Sequence, residues 1–441
     1  MKSAILSVTC AVLALVVLPM RAISGETADT SPNIDELTKK AEVGDVRAMD
    51  ELGEIYYRGK GVQADYDLAF KWLDKAAATG DAQSEVDLGD LYVSGSGVSR
   101  DPAMALKLYR QAAAQNNADG QYSVGWMYEN GEGVDEDDAE AAKWYKLSAD
   151  QNFARALNHL GDLYYSGRGV AKDYVQAMAL YRRAAEQGDG YGYSALGDMY
   201  RNGEGVAKDA GLALENYRKA AEVKECGGLY AMGRIYEKGE SGQPKDLSQA
   251  RKWYQAAADE DCIGGELAMG RFYDEGIAGP TDDGEAFKYF ALAAMNGSSL
   301  GQVKLGSSYF YGWFLPSDYG QALKWYQKAA DKGYAPGQYK VGYLYAKGYG
   351  VKADYVEALK WLRLSAAQGD DDAQYQLGAM YENAQGVPQD RKTALMWYLL
   401  SAAQKNEDAQ KAVEALKKQM SGFDVHAAQT QADAFKPTDS Q

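Results

Sequence analysis

Apolar and polar positions alternate along this chain with a short helical period nested inside a long one. The stretch LGDLYYSGRGVAKDYVQAMALYRRAAEQG, Leu160 to Gly188, shows both. Leu160, Leu163 and Tyr164 fall at helical spacing and predict a first helix with one apolar stripe. Gly167 suits the left-handed residue that ends a helix. Gly169-Val170 makes the turn, and Asp173 fits the N-cap of a second helix. On that helix Ala177 and Ala185 are small, while Leu180-Tyr181 is a bulky pair. Small residues on the second helix facing Gly161 and Ala156 on the first predict close helix contact, with the aromatics filling the wedge that remains.

The same unit returns along the chain. Its central glycines are Gly53, Gly89, Gly125, Gly161, Gly197, Gly233, Gly270, Gly306, Gly342 and Gly378, each 36 residues after the last except for one step of 37. The extra residue belongs to the loop Ser241-Gly242-Gln243-Pro244. Ten repeats therefore run over residues 45–405. A two-helix unit cannot bury its apolar face alone, whereas stacked units can. The predicted fold class is all-α: a right-handed α/α superhelical solenoid of ten two-helix repeats with terminal cap helices. Residues 25–44 are read as a linker and N-terminal cap helix, 406–420 as a C-terminal cap helix, and 421–441 as a disordered tail.

The pattern A-x-x-x-L-G-x-x-Y-x-x-G-x-G-V-x-x-D-x-x-x-A-x-x-W-Y-x-x-A-A resembles the Sel1-like repeat, a relative of the tetratricopeptide repeat. The resemblance covers roughly four fifths of the chain. It implies an adaptor or scaffold that grips other proteins. Exported bacterial members of the family are associated with envelope assembly, signalling and host interaction. It names no partner, because fold alone does not determine function.

The N-terminus departs from the repeat. Lys2, the apolar run Ala4 to Met20, Pro19 and small residues at Ala22 and Ser24 read as an export signal over residues 1–24. The alternative is an uncleaved anchoring helix, for which the run is short. Export predicts a periplasmic or secreted protein, with no membrane insertion once the signal is removed. The net charge of −16 over 441 residues repels phosphate backbones and anionic headgroups and argues against nucleic acid.

Candidate chemistry is sparse. There are two histidines, His159 and His426, and no cysteine stands at metal spacing from either. Gly297-Ser298-Ser299-Leu300-Gly301 matches G-x-S-x-G, but it falls in a loop between repeats rather than after a strand. No acid, base and nucleophile converge, so the chain reads as a non-enzyme without cofactor or metal. Cys226 and Cys262 occupy nearly equivalent loops of adjacent repeats. A disulfide between them and two free thiols are both compatible with the sequence.

If the function is binding, the informative positions are those the repeat leaves variable. Positions three before, one after and four after the central glycine share a face of the first helix, away from the apolar stripe. They predict a groove that is acidic early, basic at repeats six and seven, and aromatic later. Its candidate partner-binding residues are Tyr122, Trp126, Tyr230, Arg234, Arg271, Tyr339, Tyr343 and Tyr375. A second candidate is the stretch SYFYGWFLPSD, Ser308 to Asp318, in which Trp313, Phe314 and Leu315 replace the usual turn. There Tyr309 is expected in the core. Trp313 and Phe314 are either a local plug or anchors for a partner, and the exposure of Trp313 separates the two. The expected function is an exported protein–protein interaction scaffold taking a protein or peptide in its groove. The alternative is a glycan-binding envelope protein, since exposed aromatic faces also stack on sugars.

Overall fold

The computed structural model describes residues 33–438. Those residues form 23 helices and no strand. The expected export signal lies outside them. After a leading helix, Ile34–Glu42, the chain alternates first and second helices of 12 or 13 residues through ten repeats. It divides into two compact units: one runs to Met232 and takes in 239–244, and the other comprises 233–238 and the chain from Lys245 onward.

The local signals act as the sequence predicts. Every second helix of the ten repeats opens on an aspartate, from Asp65 to Asp390, whose carboxylate accepts from a backbone N–H of the first turn. Gly167 ends its helix in the left-handed region, at φ 81°, and returns its N–H to the Leu163 carbonyl. In the tenth repeat Ala384 holds the corresponding position at φ 54°, a conformation that costs a side-chain-bearing residue about 1 kcal/mol. The central glycines are contact points. A Cβ on Gly161 would stand 2.6 Å from the Tyr181 ring, and one on Gly89 would stand 2.5 Å from that of Tyr109.

In the first unit the core of repeats three and four joins Tyr145, Ala149, Leu157, Leu160 and Leu163 with Leu180 and Ala184. In the second unit Tyr326, Ala329, Val341, Leu344 and Trp361 form an equivalent cluster. Several buried polar side chains in these seams are paired between neighbouring repeats. Gln151 donates to Gln121 at 2.8 Å, Gln368 to Gln338 at 2.9 Å and Gln404 to Gln374 at 3.1 Å. Ser148, Ser365 and Ser401 donate to the Ala118, Ala335 and Asp371 carbonyls.

The C-terminal segment corrects the expectation of a disordered tail. After the helix Glu407–Lys417, residues Gly422–Ala434 form a further helix. Its buried Ala428 joins Leu395, Tyr398, Val413 and Leu416. Phe435 meets Trp397 edge to face at 5.7 Å, and the Thr438 N–H donates to the Ala367 carbonyl. Composition reads this segment as polar, yet alanines at 428 and 432 supply one small apolar face, which is what covers the end of the last repeat. Cys226 begins a first helix and Cys262 is the N-cap residue of another; both are disulfide-bonded.

Candidate partner-binding face

The second helices carry a tyrosine that reaches across to the first helix of its own repeat. Seven repeats have one, and each hydroxyl finds an oxygen. Tyr109, Tyr181 and Tyr217 donate to Asp90, Asp162 and Asp198, one position after the glycine, at 2.6, 2.6 and 2.7 Å. Tyr145, Tyr254 and Tyr398 donate instead to Glu129, Glu237 and Glu382, four positions after it, at 2.6, 2.7 and 2.8 Å. Tyr326 pairs with Ser307 at 3.0 Å. Leu73, Phe290 and Leu362 hold the column in the other three repeats. The acidic start of the predicted groove is therefore in large part the acceptor side of an internal hydrogen-bond ladder.

The ladder shifts the carboxylates it holds. Burial pushes Asp90 up to about 7 despite the Tyr109 hydroxyl. It also raises Asp162, against the hydrogen bonds from Tyr181 and Tyr191. At Glu129 burial works in the same direction but loses. Hydrogen bonds from His159 and Tyr145, the His159 charge and the Arg168 hydrogen bond pull it down to about 2. His159 joins the two sides, with Nδ1 3.0 Å from Glu129 and Nε2 3.2 Å from the Tyr122 hydroxyl. Asp162, Tyr181, Tyr191, Asp198 and Arg201 line a pocket of about 300 Å³ in repeats four and five.

Two residues expected in an open groove belong to this interior. Tyr122 is 5% exposed and packs against Tyr145, Phe153 and His159. The −3 position turns inward there because the wide rings of the neighbouring repeat close over it, so Tyr122 is a core residue rather than a groove anchor. Trp126 is half-buried between the clusters of repeats two to four. In the second unit Arg271 pairs with Glu237 at 2.7 Å, and Tyr375 packs on Tyr398 at 5.6 Å. Arg234 is half-buried, and Tyr230, in the first unit, is 40% exposed.

Repeats eight and nine differ. The helix Ala335–Lys347 presents Tyr339, Lys340, Tyr343 and Lys347 at spacings that share a face. Phe310, Tyr311, Tyr326, Tyr339, Lys340, Tyr343 and Leu344 line a pocket of about 200 Å³. Tyr339 and Tyr343 from the variable positions thus meet the aromatic stretch of repeat eight, two features the sequence left separate. Phe310 is the hub, with ring centroids of Tyr311, Tyr319, Tyr343 and Tyr349 at 4.8, 5.2, 6.4 and 5.8 Å.

The rebuilt turn divides its aromatics between the two readings. Phe314 replaces a turn glycine and packs on Phe287 at 5.6 Å, over Gly284 of the preceding repeat. It acts as a plug while remaining 53% exposed. Tyr309, expected in the core, is half-buried against Phe287. Trp313 stacks on Tyr311 at 5.0 Å, and the two are 46% and 56% exposed. They form an apolar rim beside the pocket, with no residue from another repeat stacked over Trp313 among the described residues.

Among the described residues no cluster of three or more His, Cys, Asp or Glu side chains is placed to hold a metal ion. No described helix is long and apolar enough to cross a membrane.

Comparison with known proteins places this geometry. The Sel1 repeat matches ten times, from 46–81 through 371–406. A crystal structure of c5321, a protective antigen of uropathogenic Escherichia coli displaying an SLR fold, is similar at 31% identity and a TM-score of 0.58. The match covers 91% of this chain and 86% of that one. A Sel1 repeat protein from Oxalobacter formigenes is 31% identical, with a TM-score of 0.47, over 52% of this chain and 100% of its own. A search of curated proteins finds no match.

Proposed function

The chain belongs to the Sel1 repeat family, and on that premise we propose that it is an exported interaction scaffold whose partner docks on the aromatic face of repeats eight and nine. The single observation carrying this reading is the half-exposed Tyr311–Trp313 stack beside the pocket of Tyr339 and Tyr343. Large rings held in place by one another are costly to leave in water and lose little freedom on binding, which is why Tyr and Trp dominate interface anchors. Export is supported by the basic, apolar and small-residue order of residues 1–24. The similar c5321 is a protective antigen of uropathogenic Escherichia coli, with which an exported location is compatible.

A photo-crosslinking side chain placed at Trp313 tests the proposal in cells. The expected result is a covalent adduct to a distinct protein, which disappears when Tyr343→Ala is added. The control is the same group at Leu364, exposed on a second helix, where no adduct forms. Equal labelling at the two positions sinks the assignment of the face.

A further inference from the structure

The charge around the pocket narrows what can occupy it. Residues 299–352 carry seven lysines against two aspartates, a local net of +5 in a chain whose total is −16. By contrast, residues 33–150 hold 24 acidic and 12 basic side chains, a net of −12. Lys340 lines the pocket itself, and Lys347 lies two turns further along the same face of the helix Ala335–Lys347. Their ammonium groups sit 5.2 Å and 5.8 Å from the ring centres of Tyr339 and Tyr343. Asp370 and Asp372 act on Lys340 from the start of repeat ten. Lys304 stands 3.7 Å from Asp274. Lys347 is exposed and enters no ion pair among the described residues.

We infer that the occupant is an acidic peptide segment, anchored by an aromatic or leucine side chain in the Phe310–Tyr339–Tyr343 pocket, with its carboxylates on Lys347 and Lys340. Besides Lys340 the pocket walls supply rings and one aliphatic side chain and no carboxylate. A basic peptide would leave two lysines facing like charge. Extended nucleic acid needs a long basic track, whereas residues 299–352 span about one and a half repeats. Within the pocket Tyr339 and Tyr343 meet at 46°, which shapes it for a side chain rather than as a flat platform for a sugar ring. This inference rests on the proposed docking face.

The test is selection of a phage library of random dodecapeptides on the full chain at low salt, followed by affinity measurement of the selected peptides. Their sequences should be rich in Asp and Glu flanking Phe, Tyr, Trp or Leu. Lys347→Glu, an exposed change that leaves the fold intact by thermal melting, should weaken them roughly tenfold. Wild-type binding should fall steeply as salt rises from about 50 to about 500 mM. Tyr343→Ala should abolish binding at any salt. Selected peptides that need Tyr343 but are neutral or basic overturn the acidic assignment and leave the docking face standing. Displacement of the peptides by neutral oligosaccharide overturns it in favour of a glycan. A selection yielding no Tyr343-dependent peptide removes the docking face and this inference together.

Discussion

The second-helix tyrosines of repeats two to five and four tyrosines in other columns of repeats eight and nine do opposite work. In the first region the hydroxyl is the working end. Tyr109, Tyr145, Tyr181 and Tyr217 each send it to a carboxylate 2.6–2.7 Å away, and their rings are buried. In the second region the ring is the working end. Tyr311, Tyr319, Tyr343 and Tyr349 hold one another and Phe310 by ring contacts, with part of their surface in water. An abundance of tyrosine on one face of a helical repeat is therefore not in itself a binding surface. The distinction lies in whether an acceptor stands opposite the hydroxyl.

That distinction has its largest consequence in stability. Tyr181→Phe removes one donor from Asp162, leaving a partly buried carboxylate short of a partner, and should cost about 1–3 kcal/mol. Tyr343→Phe removes a hydroxyl with no hydrogen-bond partner among the described residues and should change stability by less than about 0.5 kcal/mol. Urea unfolding of both variants followed by circular dichroism makes the comparison. Equal losses would break the division between the two regions.

The buried acids of the first region also give it a pH signature of definite sign. Asp90 is raised by burial to about 7, so the folded state holds its proton more tightly than the unfolded chain does. Its ionisation therefore opposes folding, and the penalty grows as pH rises from about 4 to about 7. Acidifying from pH 7.5 to 5 should stabilise the protein, by on the order of 2 kcal/mol from this residue. Asp90→Asn should flatten that gain. Glu129 acts in the opposite sense: held near 2, it contributes stability above about pH 4.5 that is lost as pH falls towards 2. The melting temperature should thus pass through a maximum near pH 5. A profile that falls steadily from pH 7.5 to 5 contradicts the assignment.

Helix positions, caps and the glycine contacts were legible in the sequence because each is a local requirement that recurs in nine or ten repeats. A left-handed stop favours glycine, an N-cap favours aspartate, and a ring pressed on the backbone needs Gly161 opposite Tyr181. The hydroxyl ladder was missed although its signal was present. Wherever the second-helix residue is tyrosine, an oxygen-bearing residue stands one or four places after the glycine, as at Asp90, Glu129 and Ser307. Reading the +1 column alone hid the alternation and made Asp162 and Asp198 look like groove residues. Tyr122 was misplaced for a related reason. Its helical phase points it to the variable face, but Phe153 and His159 from the next repeat cover that face. The tail helix escaped because two alanines in a polar segment are too weak a stripe to notice before the surface they cover is known.

A small expected effect on stability is the most informative about use. Trp313 stacks on Tyr311 and keeps 46% of its surface in water. Its removal gives up one ring contact, worth about 0.5–1.5 kcal/mol at most and less at an exposed site. Trp313→Ala should accordingly shift the unfolding midpoint by little, while Phe314→Ala, which uncovers Phe287 and Gly284, should shift it more. A residue retained only as a plug would show the reverse order. Iodide quenching of tryptophan emission supplies the second half of the argument. Trp313→Ala should remove a quenchable component that a bound peptide also protects, because the ring that costs the fold least to lose is the one left available to a partner.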